Sequence, residues 1–119
     1  MSSSRPTLRL KLPDETEDPP VVDLLTQAIR EQLCIRATYN RGLVRMAPHI
    51  LYTRHDALFV DAVVTERNGA APAEAKLGSF RLTGLSGVAM TMEPFRRFVS
   101  FDPTDERYVG RTIATVEQD

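Results

Sequence analysis

At Leu33 the apolar rhythm of the chain changes, and that change sets most of what the chain can fold into. Before it, Val21, Leu24, Leu25, Ala28, Ile29 and Leu33 recur at helical spacing and form one stripe. Asp23, Gln27, Arg30 and Glu31 occupy much of the remaining surface. The helix is expected over Pro19–Leu33, with Asp18 as its cap and proline at first-turn positions whose N–H groups need no partner. After Leu33 the period is two: Ile35, Ala37 and Tyr39 alternate with Arg36, Thr38 and Asn40. An amphipathic helix followed by alternating segments is an α+β, mainly β chain whose helix packs on its sheet.

The strands that follow are punctuated by turn residues. Arg41-Gly42 is expected to reverse the chain, because glycine supplies the backbone angles of a tight turn. The next strand runs over about Leu43–Arg54, with Val44, Met46, Pro48, Ile50 and Tyr52 on one face. Pro48 has no N–H for a ladder, so that strand must lie at an edge or carry a bulge there. His55-Asp56 makes a second reversal, and Ala57–Thr65 forms the most apolar strand. A loop rich in Gly, Pro and Ala spans Glu66–Lys76; strands follow at Leu77–Leu82 and Gly87–Met92, separated by a bend at Thr83-Gly84. Five short strands after one helix suit a small, strongly bent barrel better than a flat sheet.

Three segments are therefore set apart. Residues 1–18 form a polar leader in which Leu8, Leu10 and Leu12 alternate, either as an edge strand or as disordered chain. Residues 19–95 form the barrel domain. Residues 96–119 form a C-terminal extension in which Val109, Ile113 and Val116 add a last strand or a clasp onto a partner.

Charge is unevenly distributed. The net charge is only −1, yet residues 14–23 hold five acids and no base, and thirteen of the fifteen basic residues are arginine. Arginine suits planar, bidentate contact with phosphate or carboxylate. The alternating strands place Arg36, Arg45, His49 and Arg81 among apolar neighbours, and their convergence on one groove would attract a phosphate. Tyr39 and Phe59 are candidate platforms for stacking a base. The competing reading is that these arginines are solvated strand residues paired with Asp61, Glu66 or Glu74.

Other chemistries find little support. A single cysteine, Cys34, permits no internal disulfide and no cysteine cage for a metal. Cys34, His49 and His55 do not have zinc-ligand spacing. The run Gly84-Leu85-Ser86-Gly87 is not a nucleophile elbow, and the glycines form no phosphate loop. No enzymatic activity, cofactor or metal is expected. The leader is too acidic for a signal peptide and no apolar run approaches membrane-spanning length, so a cytoplasmic location is expected.

The order of elements and several short motifs together resemble the WYL domain, a small SH3- or Sm-like barrel named for a Trp-Tyr-Leu run in a central strand. The motifs are Ala28-Ile29 in the helix, the strand Ile35–Tyr39, Pro48-His49-Ile50-Leu51, Leu58-Phe59-Val60 with Asp61-Ala62, and Phe80-Arg81-Leu82-Thr83-Gly84-Leu85. The likeness covers roughly residues 22–95. Leu-Phe-Val stands where the family has Trp-Tyr-Leu, and Thr83-Gly84 replaces an Asp-Arg pair, removing one basic contact. About 20 residues precede the helix, too few for the helix-turn-helix that such domains often follow, so a stand-alone WYL-like domain is expected.

The resemblance implies a ligand sensor. The expected ligand is a nucleic-acid strand or nucleotide-like anion, held through Arg81, His49, Arg45, Tyr39 and Arg36. Output would pass to a partner protein in regulation of transcription, and the chain is expected to form a homodimer. The alternative is a protein-interaction or oligomerisation domain without a small ligand, in which arginine-rich strands of one copy meet the acidic leader or tail of another.

Overall fold

The computed structural model describes residues 18–117. The leader, with its alternating leucines, lies outside the described residues. The helix α1 (Asp18–Glu31) buries Leu25, Ala28 and Ile29 completely, as their spacing requires. It stops two residues short of the expected end because Gln32 takes a left-handed conformation, φ 53°, which an α-helix cannot continue. Gln32 also fastens the helix end to the sheet: its carbonyl accepts from Phe95 N–H at 3.0 Å, and its Nε2 donates to Phe95 O at 3.1 Å.

Six strands follow: β1 (Leu33–Tyr39), β2 (Gly42–Arg54), β3 (Ala57–Arg67), β4 (Leu77–Arg81), β5 (Ser86–Pro94) and β6 (Thr112–Thr115). A 3₁₀ turn, Leu82–Gly84, joins β4 to β5. The first two hairpins have two-residue turns, Asn40-Arg41 and His55-Asp56, with φ between 50° and 65° at all four positions. That pairing of left-handed residues is the turn whose twist matches antiparallel strands. The first reversal thus lies one residue earlier than Arg41-Gly42, and Gly42 begins β2.

All pairing is antiparallel, in the order β4-β3-β2-β1-β5. Of the two alternatives at Pro48, an edge or a bulge, the bulge is present: Pro48 pairs with Ala62 and Ile50 with Asp61, so His49 is the extra residue on β2. The expected five-stranded barrel needs correction in two respects. Among the described residues the sheet has six strands, and it is open, since β4 and β5 are its ends and do not pair. The sixth strand has a clear cause. With 13 residues, β2 outruns the 7 of β1, leaving the backbone groups of Ile50–Tyr52 unpaired on that side. β6 takes them, matching Ile50 to Thr115 and Leu51 to Ala114.

Helix and sheet enclose a core that includes Ile35, Met46, Leu51, Val60 and Phe80. A smaller cluster of Cys34, Ala47 and Val63 packs with Leu77, Phe95 and Phe98. Residues 96–117 contribute to the core through Phe101, Tyr108, Ala114 and Val116, all buried. Burying a side chain of this size stabilises the fold by roughly 1.5–3 kcal/mol. Among the described residues no helix is long and apolar enough to cross a membrane.

Candidate functional site

Of the five residues singled out from the sequence, the structure brings two together. Arg36 and Arg45 are directly paired across β1 and β2 and line one cavity of about 270 Å³ with Glu66, Gly69 and Gly87. Arg45 is already engaged there: its Nη1 meets Glu93 at 3.0 Å and Glu66 at 3.8 Å. Tyr39 packs edge-on against Phe80 at 5.1 Å, with the Arg67 guanidinium 5.9 Å from its ring. Arg81 pairs with Phe59, whereas Arg45 pairs with Glu66, so the two sit on opposite sides of β3 with about 23 Å of that strand between their partners at the usual rise.

His49 does not line the groove at all. It is fully buried at the bulge, where Nδ1 donates to Ala47 O at 2.9 Å and Nε2 accepts from Phe98 N–H at 2.8 Å. Its ring lies between Phe95, tilted at 5.0 Å, and Phe101, edge-on at 5.2 Å. Burial holds its pKa below the usual imidazole value, with the Arg97 charge acting in the same direction and the Ala47 bond opposing. The neutral ring has both nitrogens satisfied, and none is left for a ligand. Cys34 is similarly inert, because burial and then the Glu93 charge push its thiol up to about 11.

The structure gathers basic residues elsewhere, at the tip of the β2–β3 hairpin. Arg54, His55, Arg107 and Arg111 line one cavity of about 260 Å³, and no carboxylate lines it with them. Arg54 ends β2 and His55 opens the turn. Arg107 and Arg111 arrive on the winding segment before β6, which is built from successive short-range bonds. Asp102 accepts from Thr104 N–H and Oγ1, Asp105 Oδ1 from Arg107 N–H, and Tyr108 O from Arg111 N–H. Thr53 N–H then donates to Arg111 O at 3.1 Å, tying the segment to the end of β2.

Arg81 does not line this cavity; it lines another one, with Asp56 and Thr83, and is linked to the first through Phe59. The guanidinium carbons of Arg54 and Arg81 lie 5.7 and 5.9 Å from the Phe59 ring. Phe59 therefore orders two guanidinium planes, a role suited to presenting their donors to an oxyanion. Arg54, His55, Arg81 and Arg111 have no carboxylate within ion-pair distance among the described residues. Arg107 does: its Nε meets Asp105 at 3.2 Å, and its Nη1 lies 4.0 Å from Asp61.

Beneath this cavity lies a buried polar cluster that the sequence did not announce. Asp61, on β3, is 1% exposed, and both its oxygens accept hydrogen bonds, Oδ1 from Tyr52 at 2.8 Å and Oδ2 from Tyr108 at 2.6 Å. The two phenol rings meet edge-on at 4.9 Å. Burial first, and then the bond to Asp61, hold the Tyr108 hydroxyl far above the usual phenol pKa. Tyr52 is raised in the same way, chiefly by burial, so both hydroxyls remain donors at neutral pH.

Two signals for the basic cavity stood in the sequence. Arg54-His55 sits at a predicted hairpin tip, and Arg107 and Arg111 are spaced four apart around Tyr108. The acidic residues just before the second pair, Asp102, Asp105 and Glu106, concealed it. Among the described residues no three metal-ligating side chains form a group. No protein-family model, curated protein or solved structure matches the chain.

Proposed function

We propose that the chain is a binding module for a phosphate-bearing anion, a nucleic-acid strand or a nucleotide, seated at the tip of the β2–β3 hairpin. Arg54, His55, Arg107 and Arg111 make the primary contacts, and Arg81 extends them across Phe59. The observation that carries this reading is a cavity lined by four basic side chains and by no carboxylate. Of the residues first singled out, Arg81 keeps its role. Arg36 and Arg45 become secondary, because Arg45 is already paired with Glu93 and Glu66.

The same proposal includes the WYL-like sensor reading and its SH3- or Sm-like barrel. What supports that reading is the strand order β4-β3-β2-β1-β5, a meander with β5 added beside β1, although the sheet is left open between β4 and β5. The motif residue Phe59 then serves to order Arg54 and Arg81.

Salt dependence tests the function. Short single-stranded DNA and RNA should bind at low ionic strength, and affinity should fall steeply as salt rises. Arg111→Ala should lower the slope of log affinity against log salt by about one, as expected for one lost phosphate contact. Absence of binding to either strand at low salt would refute the proposal.

A further inference from the structure

We propose that Asp61 is the positioning residue of the basic cavity, and that the two tyrosines bonded to it register whether the cavity is occupied. This deepens the anion-site reading and rests on it. Asp61 acts on the cavity in two opposed ways. Its oxygens hold Tyr108, and with it the neighbouring Arg107, against the sheet. Its negative charge, 4.0 Å from Arg107 Nη1, also competes with any anion for that guanidinium.

The geometry favours a shared cation over a closed ion pair. Both Asp61 oxygens already accept from tyrosine hydroxyls at 2.8 and 2.6 Å. Arg107 stays at the edge of ion-pair distance, packs over the Tyr108 ring at 5.6 Å, and spends Nε on Asp105. Nη2 has no protein acceptor among the described residues, and the side chain is 55% exposed. An anion in the cavity draws Arg107 outward. The Tyr52–Asp61–Tyr108 cluster then loses its nearest positive charge, and its hydrogen bonds readjust. No covalent change is involved.

Two substitutions separate the opposed roles. Asp61→Asn removes the charge and retains a carbonyl acceptor of the same shape. Tyr108→Phe removes the tether and leaves the charge. With inorganic pyrophosphate as the probe, followed by isothermal titration calorimetry, Asp61→Asn should bind roughly 3- to 10-fold tighter, the scale of one removed charge at this range. Tyr108→Phe should bind several-fold more weakly. A purely structural Asp61 would weaken binding in both variants, so weaker or unchanged affinity in Asp61→Asn overturns the proposal.

A spectroscopic signature provides the second readout. The chain has three tyrosines and no tryptophan, and two of the three donate to Asp61, so tyrosine emission reports on this cluster. In the wild type, emission should change with pyrophosphate and reach its midpoint where calorimetry does. In Arg107→Gln the remaining cationic side chains should still bind more weakly, but the emission change should vanish. This decides the matter should Asp61→Asn fail to fold: emission that still responds in Arg107→Gln, or a wild type that binds without responding, overturns the role of Asp61 alone. A wild type that binds no pyrophosphate at low salt overturns the anion-site reading itself.

Discussion

A neutral histidine needs one hydrogen-bond acceptor and one donor, and the backbone gives His49 both, through Ala47 O and Phe98 N–H. Protonation would turn Nε2 from acceptor to donor and oppose Phe98 N–H. Because burial lowers the His49 pKa in the folded state, the unfolded chain binds the proton more tightly. This contribution to stability is therefore complete above the ordinary imidazole value near pH 6.5 and declines as pH falls toward the depressed folded value. Melting temperature measured from pH 7.5 to 5 should decrease on the acid side, and His49→Gln should flatten that decrease. An unchanged slope in the variant would assign the acid sensitivity to another group. Tyr108→Phe should also destabilise the protein by about 1–3 kcal/mol, since a buried carboxylate oxygen loses its donor, and a denaturant titration would measure it. Residue roles were only partly legible in the sequence. Period-two alternation correctly placed Tyr52 on the buried face. The alternation put His49 on a polar face beside arginines, because one bulge residue shifts the parity that any such count relies on. Asp61 looked like a candidate partner for strand arginines, whereas its two hydroxyl donors come from residues 9 and 47 positions away.

Elements were more legible than individual roles. The helix, five of the six strands and the His55-Asp56 reversal follow from period and turn chemistry in single stretches of chain, whereas the first reversal lies one residue before its expected place. An edge or a bulge at Pro48 followed from one missing N–H. The last strand was legible only as one of two alternatives, because β6 is four residues long and exists to pair the part of β2 that β1 does not reach. That demand depends on the relative lengths of two distant strands, which no local pattern records. The segment set apart as an extension is consequently part of the packed structure. Val116 N–H donates to His49 O at 2.9 Å, and its side chain is fully buried. Val116→Ala should cost about 1–3 kcal/mol, near the cost of other buried methyl deletions. A loss below a few tenths of a kcal/mol in a denaturant titration would mean that the last strand is dispensable.

At the scale of the whole molecule, a net charge of −1 is compatible with an anion-binding surface because basic side chains are concentrated locally. Basic side chains from β2, the β2–β3 turn and the segment before β6 meet at one end of the sheet. The carboxylates of Glu66 and Glu93 are spent near Arg45. The proposal of a homodimer is supported by the ends of the sheet that are open among the described residues. β5 offers a nine-residue edge on which Met92 is 90% exposed. Sedimentation at increasing concentration should therefore show association that Met92→Lys reduces, and a monomer at every concentration would remove that reading. The central claim concerns where the anion binds, and a comparison of two double variants tests it most directly. Fluorescence anisotropy of a short labelled single strand at low salt should show binding by the wild type and by Arg36→Ala/Arg45→Ala, and at least a tenfold loss in Arg54→Ala/Arg111→Ala. Loss confined to Arg36→Ala/Arg45→Ala, with Arg54→Ala/Arg111→Ala binding as the wild type does, would contradict the account and return the site to the face of β1 and β2.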